Sequence, residues 1–242
     1  MATVKEHYEQ LLSEHYAWMF GGLDNGIDKN LDFFKTHHII PHRSGVAIDL
    51  GAGCGFQSIP LARLGFSVLA IDLNSTLLDE LENNSSEKQA IRIIQDDLIN
   101  FDTYTKTTVE LIVCMTDTLL HLETPAKVQS LFKKVFASLE EGGQFIITFR
   151  DLSYELTSVD RFIPVRSDEN TIFTCFLEYE PESVKVHDII YTKEQGKWTL
   201  NKSFYKKLRL SKTWVDEQLS NVGFNDIAST VENGVVSVIA VK

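Results

Sequence analysis

The sequence contains little cysteine, few basic residues and no long apolar run. Its three cysteines, Cys54, Cys114 and Cys175, lie far apart and form no Cys-x-x-Cys pair, so we expect neither a disulfide framework nor a metal site. Only 23 Lys and Arg accompany 34 Asp and Glu, and the net charge of −11 argues against a nucleic-acid partner, because phosphates are held mainly by Lys and Arg. No stretch approaches the roughly 18 apolar residues of a membrane span, and the first residues lack the apolar core of a signal peptide. We therefore expect a cytoplasmic protein with no membrane partner.

A hydrophobic content of 43% over 242 residues is enough for one large α/β domain. Short apolar runs alternate with amphipathic segments, and strands separated by helices in this way indicate a parallel sheet covered on both faces. The predicted strands are Val46–Leu50, Ser67–Asp72, Ile91–Gln95, Glu110–Met115 and Gln144–Phe149. The predicted helices between them are Phe56–Leu64, Ser75–Glu82 and Pro125–Leu139.

Both ends of the chain show recognisable patterns. Thr3-Val4-Lys5-Glu6 has the form of a capping box and opens a helix that Gly21-Gly22 ends, and a second helix is predicted over Asn30–Thr36. At the other end, a helix capped by Ser211 precedes two strands, Phe224–Thr230 and Val235–Val241, joined by a Glu-Asn-Gly turn.

The pattern of predicted elements changes after Asp151. Three strand-like runs with short turns, Thr171–Tyr179, Val184–Thr192 and Lys197–Leu208, predict an antiparallel insertion. The last run carries Lys202, Lys206, Lys207 and Arg209, and at alternating strand spacing we interpret these cations as a solvated face.

A glycine-rich loop, Gly51-Ala52-Gly53-Cys54-Gly55, follows the first core strand. Glycines let the backbone turn tightly and approach a ligand closely, because side chains there would collide with it. The dinucleotide-binding pattern needs another glycine at position 56, where this chain has Phe56. The loop predicts a ligand bound on backbone but disfavours a nicotinamide dinucleotide.

Two acids follow the next two strands. Asp72 ends the strand beside the loop, where a carboxylate can accept both hydroxyls of a ribose. Asp97 follows the third strand, where a carboxylate can accept the amino group of adenine. Each acid alone could equally be a helix N-cap or a solvated loop residue, but together they indicate a nucleoside. The chain lacks the Lys of a phosphate-binding loop after the glycines, which disfavours nucleoside triphosphates.

This order of glycine loop and acids resembles the class I S-adenosylmethionine-dependent methyltransferase family over Val46–Phe149 and the closing hairpin. The resemblance implies a Rossmann-like, doubly wound seven-stranded sheet with an antiparallel last strand. It also implies S-adenosyl-L-methionine as cofactor and S-adenosyl-L-homocysteine as product. The cofactor contacts that it implies are Asp49, Gly51, Ala52, Gly53, Asp72, Leu73, Asp97, Leu98, Met115 and Thr116.

The resemblance divides one domain into four parts: an N-terminal helical lid (1–44), a cofactor-binding core (45–151), a β insertion that roofs the substrate (152–209) and a C-terminal helix with its hairpin (210–242). The run Tyr16–Gly22 resembles the lid of glycine and sarcosine N-methyltransferase-like proteins. On this basis Trp18 is expected at the cofactor and Tyr16 at the substrate, with core packing as the alternative for both. Arg150 is a candidate for a substrate carboxylate, or for a surface ion pair.

The residues after the fourth strand, Cys114–Leu122, face the methyl group in this family. They show neither the Asn/Asp-Pro-Pro-aromatic run of base amino-methyltransferases nor the Pro-Cys of cytosine C5 enzymes, so we expect a small-molecule acceptor. His121 is the candidate base and Asp117 could orient a cationic substrate. Packing at a helix start explains His121 as well, and N-capping explains Asp117 as well.

The function predicted from the sequence is methyl transfer to a small-molecule amine or hydroxyl by in-line displacement. Three alternatives stay open: a nicotinamide oxidoreductase, a module that binds the cofactor without catalysis, and a protein or tRNA methyltransferase. The sequence leaves the methylated atom and the oligomeric state undetermined.

Overall fold

A computed structural model of the chain describes residues 3–86 and 90–242. The strands are β1 (Val46–Leu50), β2 (Ser67–Asp72), β3 (Ile91–Gln95), β4 (Val109–Cys114), β5 (Leu139–Arg150), β6 (Phe162–Ser167), β7 (Thr171–Tyr179), β8 (Ser183–Glu194), β9 (Lys197–Leu208), β10 (Asp226–Glu232) and β11 (Val235–Val241). The α-helices are α1 (Val4–His7), α2 (Ser13–Met19), α3 (Leu23–Thr36), α4 (Ser58–Arg63), α5 (Ser75–Asn84), α6 (Pro125–Ser138) and α7 (Lys212–Val222). A π-helical stretch, Tyr8–Leu12, joins α1 to α2.

The larger sheet has seven strands in the order β10-β11-β5-β4-β1-β2-β3. Strands β1 to β5 pair in parallel, whereas β11 runs antiparallel to both β5 and β10. This arrangement confirms the predicted Rossmann-like sheet with its antiparallel last strand. The parallel strands end at one edge, so the loops after β1, β2, β3 and β4 meet there.

Helices cover both faces of this sheet. Helices α3 and α4 bury Phe34 and Leu61 against one face, while α6 and α7 bury side chains such as Phe132 and Leu219 against the other. Helix α3 begins at Leu23, earlier than the predicted Asn30, because Asp24, Asn25 and Gly26 are weak helix formers that hide its first turns. None of the helices in the described ranges combines the length and apolar composition needed to cross a bilayer.

The predicted caps are present. Thr3 and Glu6 form the reciprocal capping box, and Ser211 accepts a hydrogen bond from Trp214 N at the start of α7. In the closing hairpin, Asn233 and Gly234 both have positive φ, which suits the tight turn between two twisted strands.

The insertion forms a second sheet in the order β6-β7-β8-β9, and each neighbouring pair is antiparallel. Strand β6 was not predicted, because its pairing with β7 shifts register between Pro164 and Arg166 and breaks the alternation of the sequence. Phe173 and Ile190 of this sheet pack on Leu12 of the N-terminal helical segment. The insertion and the N-terminal helices therefore lie together over one end of the larger sheet.

Candidate active site

A cavity of about 590 Å³ opens at the carboxyl edge of the parallel strands. This volume lies in the range of roughly 300–1,000 Å³ that small-molecule sites occupy. Its walls combine the loops after β1 to β4 with α1, the π-helical stretch and α2, and with β8 and β9 of the insertion. The residues lining it include Thr3, Val4, Tyr8, Tyr16, Gly51, Gly53, Asp72, Leu73, Asn74, Leu77, Asp97, Leu98, Thr116, Thr118, His121, Leu122, Pro125, Ser183, Lys206, Lys207 and Leu208.

The glycine loop forms the floor of the cavity. Gly51 has φ +80°, and a Cβ at this position would lie 2.4 Å from Thr118 Cγ2. Gly53 has φ +49°, and a Cβ there would lie 3.7 Å from Tyr16 Cε1 and 3.8 Å from Leu77 Cδ1. The loop thus needs glycine at Gly51 for its close approach to Thr118, and it presents bare backbone to the cavity at both positions.

Asp72 lies beside the glycine loop. Its Oδ2 accepts a hydrogen bond from Gly53 N at 2.8 Å, and its Oδ1 accepts one from Asn74 N at 2.8 Å. Each carboxylate oxygen has further lone pairs, and the side chain lines the cavity. Asp72 therefore holds the loop in place and still presents acceptors for two hydroxyl groups.

Asp97 and Leu98 line the cavity beyond β3. Asp97 Oδ1 accepts a hydrogen bond from Ile99 N at 3.0 Å and caps the short 3₁₀ helix Leu98–Thr103. Asp97 therefore caps a helix, as the alternative interpretation expected, and it also lines the cavity. Apolar side chains of Leu73, Leu77 and Leu98 suit the face of a purine ring.

After β4 the backbone adopts a strained turn. Thr116 has φ +58° and Asp117 φ +67°, the left-handed region that non-glycine residues rarely enter. Thr148 supports this turn, because its Oγ1 accepts from Thr116 N and its carbonyl accepts from Asp117 N. Such strain concentrates at functional sites, and here it directs Thr118 and His121 toward the cavity.

His121 lines the cavity from the short 3₁₀ turn that follows β4. Its ring packs edge-on against Tyr8 and Tyr205, with centroid distances of 5.8 and 5.5 Å. Burial and the nearby Lys207 ammonium lower the pKa of the imidazole to about 3, so His121 is neutral at physiological pH. Its Nε2 is buried and finds no hydrogen-bond partner among the described residues.

Two tyrosines of the N-terminal segment, Tyr8 and Tyr16, line the cavity. The Tyr16 ring stacks on Phe56 with a centroid distance of 5.7 Å, and Tyr8 lies 6.0 Å from Tyr16. Burial raises the pKa of both phenols, so Tyr8 and Tyr16 keep their protons and act as hydrogen-bond donors. Tyr8 was not predicted as a site residue, because its helical spacing with Leu11 and Leu12 is also typical of core packing.

Lys207 is a further wall residue that sequence reasoning missed. Its Nζ lies 2.7 Å from Asp117 Oδ2, and its side chain is only 12% exposed. The solvated face predicted for this cationic run is wrong here: Lys206 pairs with Glu180, Arg209 pairs with Glu155, and Lys207 points inward. The alternating cations in the sequence could not predict that Lys207 is buried, because the acid that pairs with it, Asp117, lies in a loop distant in sequence.

Asp117 contacts Lys207 and is not itself a lining residue of the cavity. Burial raises the pKa of its carboxyl, but Lys207 and Arg150 outweigh this effect and keep the pKa below its usual range. Its Oδ1 accepts a hydrogen bond from Arg150 N at 2.7 Å. Asp117 does not line the cavity as described, so we assign it a positioning role.

Several predicted contacts lie away from the cavity. Trp18, expected at the cofactor, does not line the cavity: its indole N–H donates to Asp168 at 2.7 Å and Arg166 lies over its ring. The half-buried ring packs on the cluster of Leu12, Phe173 and Ile190, which agrees with the alternative of core packing. Arg150 does not line the cavity; its side chain is 57% exposed and lies 3.7 Å from Asp117, which agrees with the alternative of an ion pair.

Three predicted cofactor residues lie behind the cavity wall. Ala52 and Met115 are buried in the core, next to the lining residues Gly51, Gly53 and Thr116. Asp49 is 1% exposed, and its Oδ2 accepts a hydrogen bond from Ser58 Oγ at 2.6 Å. Their side chains support the floor of the site.

Comparisons with known proteins report what this segment is similar to. A family model described as a methyltransferase domain matches residues 47–143, the segment that carries the glycine loop, Asp72 and Asp97. The match covers about two fifths of the chain and indicates a methyltransferase domain there.

Individual relatives agree with this assignment. YqeM of Bacillus subtilis (strain 168), which its name places among the methyltransferases, is 29% identical over 150 residues, covering 61% of this chain and 60% of YqeM. The match thus spans less than two thirds of that relative. A solved S-adenosylmethionine-dependent methyltransferase from Clostridium acetobutylicum ATCC 824 has a TM-score of 0.75 at 18% identity, covering 94% of this chain and 98% of that one.

A second solved structure is CalS10 of Micromonospora echinaspora, an amino pentose methyltransferase involved in calicheamicin biosynthesis, bound to S-adenosylmethionine. It has a TM-score of 0.72 at 14% identity and covers 100% of this chain and 97% of its own. At these identities, the two solved structures establish a shared fold.

The cavity suits S-adenosyl-L-methionine, the cofactor predicted from the sequence. Gly51 and Gly53 leave room for a ligand on the backbone, and Asp72 and Asp97 offer acceptors for ribose hydroxyls and an amino group. These four residues define the cofactor end of the cavity. Tyr8, Thr118, His121 and Lys207 define what we call the acceptor end.

Proposed function

We propose that the protein transfers a methyl group to the nitrogen of a small-molecule amine. The observation that carries this proposal is the neutral His121 at the acceptor end. An imidazole whose pKa is about 3 is a very weak base and cannot take a proton from a hydroxyl group before attack. A neutral amine already has a free lone pair and needs no such base.

The enclosure of the cavity supports a small acceptor. Tyr8 and Tyr16 cover it from the N-terminal side, and Ser183, Lys207 and Leu208 of the insertion cover it from the other. A protein or tRNA acceptor would need an open groove, and the acidic chain is poorly suited to a polyanion. CalS10, described as an amino pentose methyltransferase, shares the fold over the whole chain, and an amino sugar is a small acceptor that carries an amine.

Alignment accounts for the chemistry expected of this site. When bound, the cofactor supplies a sulfonium-activated methyl group for in-line displacement. The chain contributes position and exclusion of water, which can supply much of the rate for reactants held in line. In the tautomer that leaves Nε2 unprotonated, His121 accepts one N–H of the amine and turns its lone pair toward the methyl group. Tyr8 keeps water out of the same end.

Calorimetry and turnover test the proposal in sequence. S-adenosyl-L-homocysteine is titrated first, and absence of binding at millimolar concentration would refute the cofactor assignment for this site. A panel of matched amines and alcohols is then assayed with S-adenosyl-L-methionine by release of S-adenosyl-L-homocysteine. Turnover restricted to amines is expected. Turnover of alcohols alone would identify a hydroxyl acceptor, and cofactor binding with no turnover on any small molecule, peptide or tRNA would favour a non-catalytic binding module.

A further inference from the structure

The acceptor end of the cavity contains a buried ammonium group with unused donors. Lys207 Nζ donates one hydrogen bond, to Asp117 Oδ2 at 2.7 Å. An ammonium group has three N–H donors, and the other two find no hydrogen-bond acceptor among the residues that the structure describes, although Nζ also lies 5.9 Å from the centroid of the Tyr205 ring. With 12% of its side chain exposed, Lys207 has little bulk water to satisfy them.

The charge of Lys207 is also incompletely balanced. Asp117 is shared with Arg150, whose Nε lies 3.7 Å from the same Oδ2 atom and whose main-chain N–H donates to Oδ1. Two cations therefore share one carboxylate. Another buried acid, Asp188, is paired with His7 Nε2 at 2.7 Å, and the His7 ring lies 4.5 Å from the Tyr205 ring.

Other lysines on the cavity wall differ from Lys207. Lys127 pairs with Glu123 at 2.7 Å, and Lys206 pairs with Glu180 at 2.5 Å. Lys5 is half-exposed near Glu9, and Lys206 shares Glu180 with Lys185. The side chains of the three wall lysines are 39–48% exposed, so water can satisfy their remaining donors, whereas Lys207 is only 12% exposed.

The neighbours of Lys207 do not offer a competing carboxylate. His121 is neutral and its Nε2 is unpaired, while Tyr8 and Thr118 carry hydroxyl groups. Four carboxylates of the described residues line the cavity: Asp72 and Asp97 at the cofactor end, Glu123, which pairs with Lys127, and Glu182. An anion beside Lys207 would meet a buried cation that has Asp117 as its one salt-bridge partner in the described part of the chain, together with the neutral side chains of His121, Tyr8 and Thr118.

We propose that Lys207 binds an oxyanion of the methyl acceptor, so that the acceptor is an amine that also carries a carboxylate or a phosphate. This inference rests on the proposed amine acceptor and names its class. Asp117 is the positioning residue, because its left-handed backbone and its hydrogen bond from Arg150 N fix the carboxylate that holds the ammonium. Hydrogen bonds of charged groups are strong enough to decide which acceptors bind.

A titration with the smallest oxyanions tests the site without knowledge of the acceptor. Acetate, its neutral isostere acetamide, and inorganic phosphate are titrated separately into ¹⁵N-labelled protein saturated with S-adenosyl-L-homocysteine, at constant ionic strength. We expect acetate or phosphate to shift the resonances of residues around Lys207 and His121, and acetamide to leave them in place. The arm that binds more tightly distinguishes a carboxylate from a phosphate.

Substitutions at two lysines of β9 locate the effect. Lys207→Met should weaken binding of the oxyanion about tenfold or more and Lys207→Arg should retain it. Lys202→Met, at an exposed position of the same strand that does not line the cavity, should leave binding unchanged. Affinity for S-adenosyl-L-homocysteine should stay within about twofold in all three. Should Lys207→Met fold poorly, Lys207→Gln replaces it.

Three results would overturn the assignment: no shift with either anion in the parent protein, equal shifts with acetamide, or equal anion affinity after Lys207→Met. Failure of the parent protein to bind S-adenosyl-L-homocysteine would instead count against the proposed function. In that case the anion titration is repeated on the free protein, and its outcome still decides the role of Lys207.

Discussion

His7 Nε2 lies 2.7 Å from Asp188 Oδ2, and both side chains are almost completely buried. This contact joins α1 of the N-terminal segment to β8 of the insertion. Cys175 donates a further hydrogen bond to Asp188 Oδ1 at 2.9 Å, and the His7 ring lies 4.5 Å from the Tyr205 ring. One buried pair thus ties the two parts that cover the cavity to each other.

Loss of the His7–Asp188 pair should weaken the packing of the N-terminal segment on the insertion. His7→Phe leaves the Asp188 carboxylate buried with Cys175 as its remaining side-chain donor, and breaking a buried pair in this way costs about 3–5 kcal/mol. We expect faster amide hydrogen exchange over residues 3–20, with little change in β1 and β4. Replacing both partners, as in His7→Phe with Asp188→Leu, should recover part of the protection. Unchanged exchange in the single variant would show that the pair does not hold the N-terminal segment.

Asp72→Asn should weaken binding of S-adenosyl-L-homocysteine by about one to two orders of magnitude. The amide lacks the negative charge that strengthens hydrogen bonds from hydroxyl groups, and one of its atoms can no longer accept from Gly53 N or Asn74 N. Calorimetry measures the affinity, and circular dichroism checks the fold. Asp79→Asn, on the exposed side of α5, is the matched control and should bind as the parent does. Equal affinities for both variants would remove Asp72 from the ribose site.

The His121 imidazole should not titrate in the physiological range. Because burial and Lys207 lower its pKa to about 3, its ring resonances should stay constant from about pH 5 to pH 8. Two-dimensional NMR of ¹⁵N-histidine-labelled protein measures this, and the signal missing from His121→Gln identifies the residue. A titration midpoint near neutrality would contradict the expectation and restore His121 as a candidate base for a hydroxyl acceptor.

Asp49 should make stability depend on pH. Burial raises the pKa of its carboxyl from 3.8 to about 7, so the folded state favours the protonated form. The contribution of Asp49 to the free energy of unfolding is therefore greatest below pH 3.8 and is lost as the pH rises to about 7. Relative to Asp49→Asn, which still accepts from Ser58 Oγ, the parent should lose up to about 4 kcal/mol across this window.

Denaturant unfolding of the ligand-free protein at several pH values measures the difference in free energy of unfolding between the parent and Asp49→Asn. Asp79→Asn serves again as the exposed control and should show no comparable trend. A difference between parent and Asp49→Asn that stays constant from about pH 4 to pH 8 would mean that the buried carboxyl does not take up a proton on folding.

Gly26→Ala should destabilise the protein, although this change usually stabilises a helix by about 0.5–1 kcal/mol. A Cβ at residue 26 would lie 2.3 Å from Phe56 Cε1, inside the packing of α3 on the glycine loop. Overpacking of this kind costs about 1–3 kcal/mol. Thermal unfolding should show a lower midpoint for Gly26→Ala and partial recovery when Phe56→Leu is added. An increase in stability for the single variant would contradict the close approach.

The cofactor end of the site could be predicted from sequence because its parts are local. Strands β1, β2 and β3 are short apolar runs, and the carboxyl ends of parallel strands meet at one edge of a sheet. The glycine loop, Asp72 and Asp97 therefore had to come together once the strand order was known. Phe56 in place of a glycine separated this loop from a dinucleotide site, and the structure adds that its ring packs between Gly26 and Tyr16.

The acceptor end was decided by tertiary structure alone. Helical spacing placed Tyr8, Tyr16 and Trp18 on one segment, but only the packing of that segment turns the two tyrosines inward and leaves Trp18 outside with Asp168. In the same way, a buried carboxylate on a distant loop, Asp117, draws Lys207 into the cavity. Periodicity specifies which residues share a face of an element, whereas burial and charge pairing across the chain determine what that face meets.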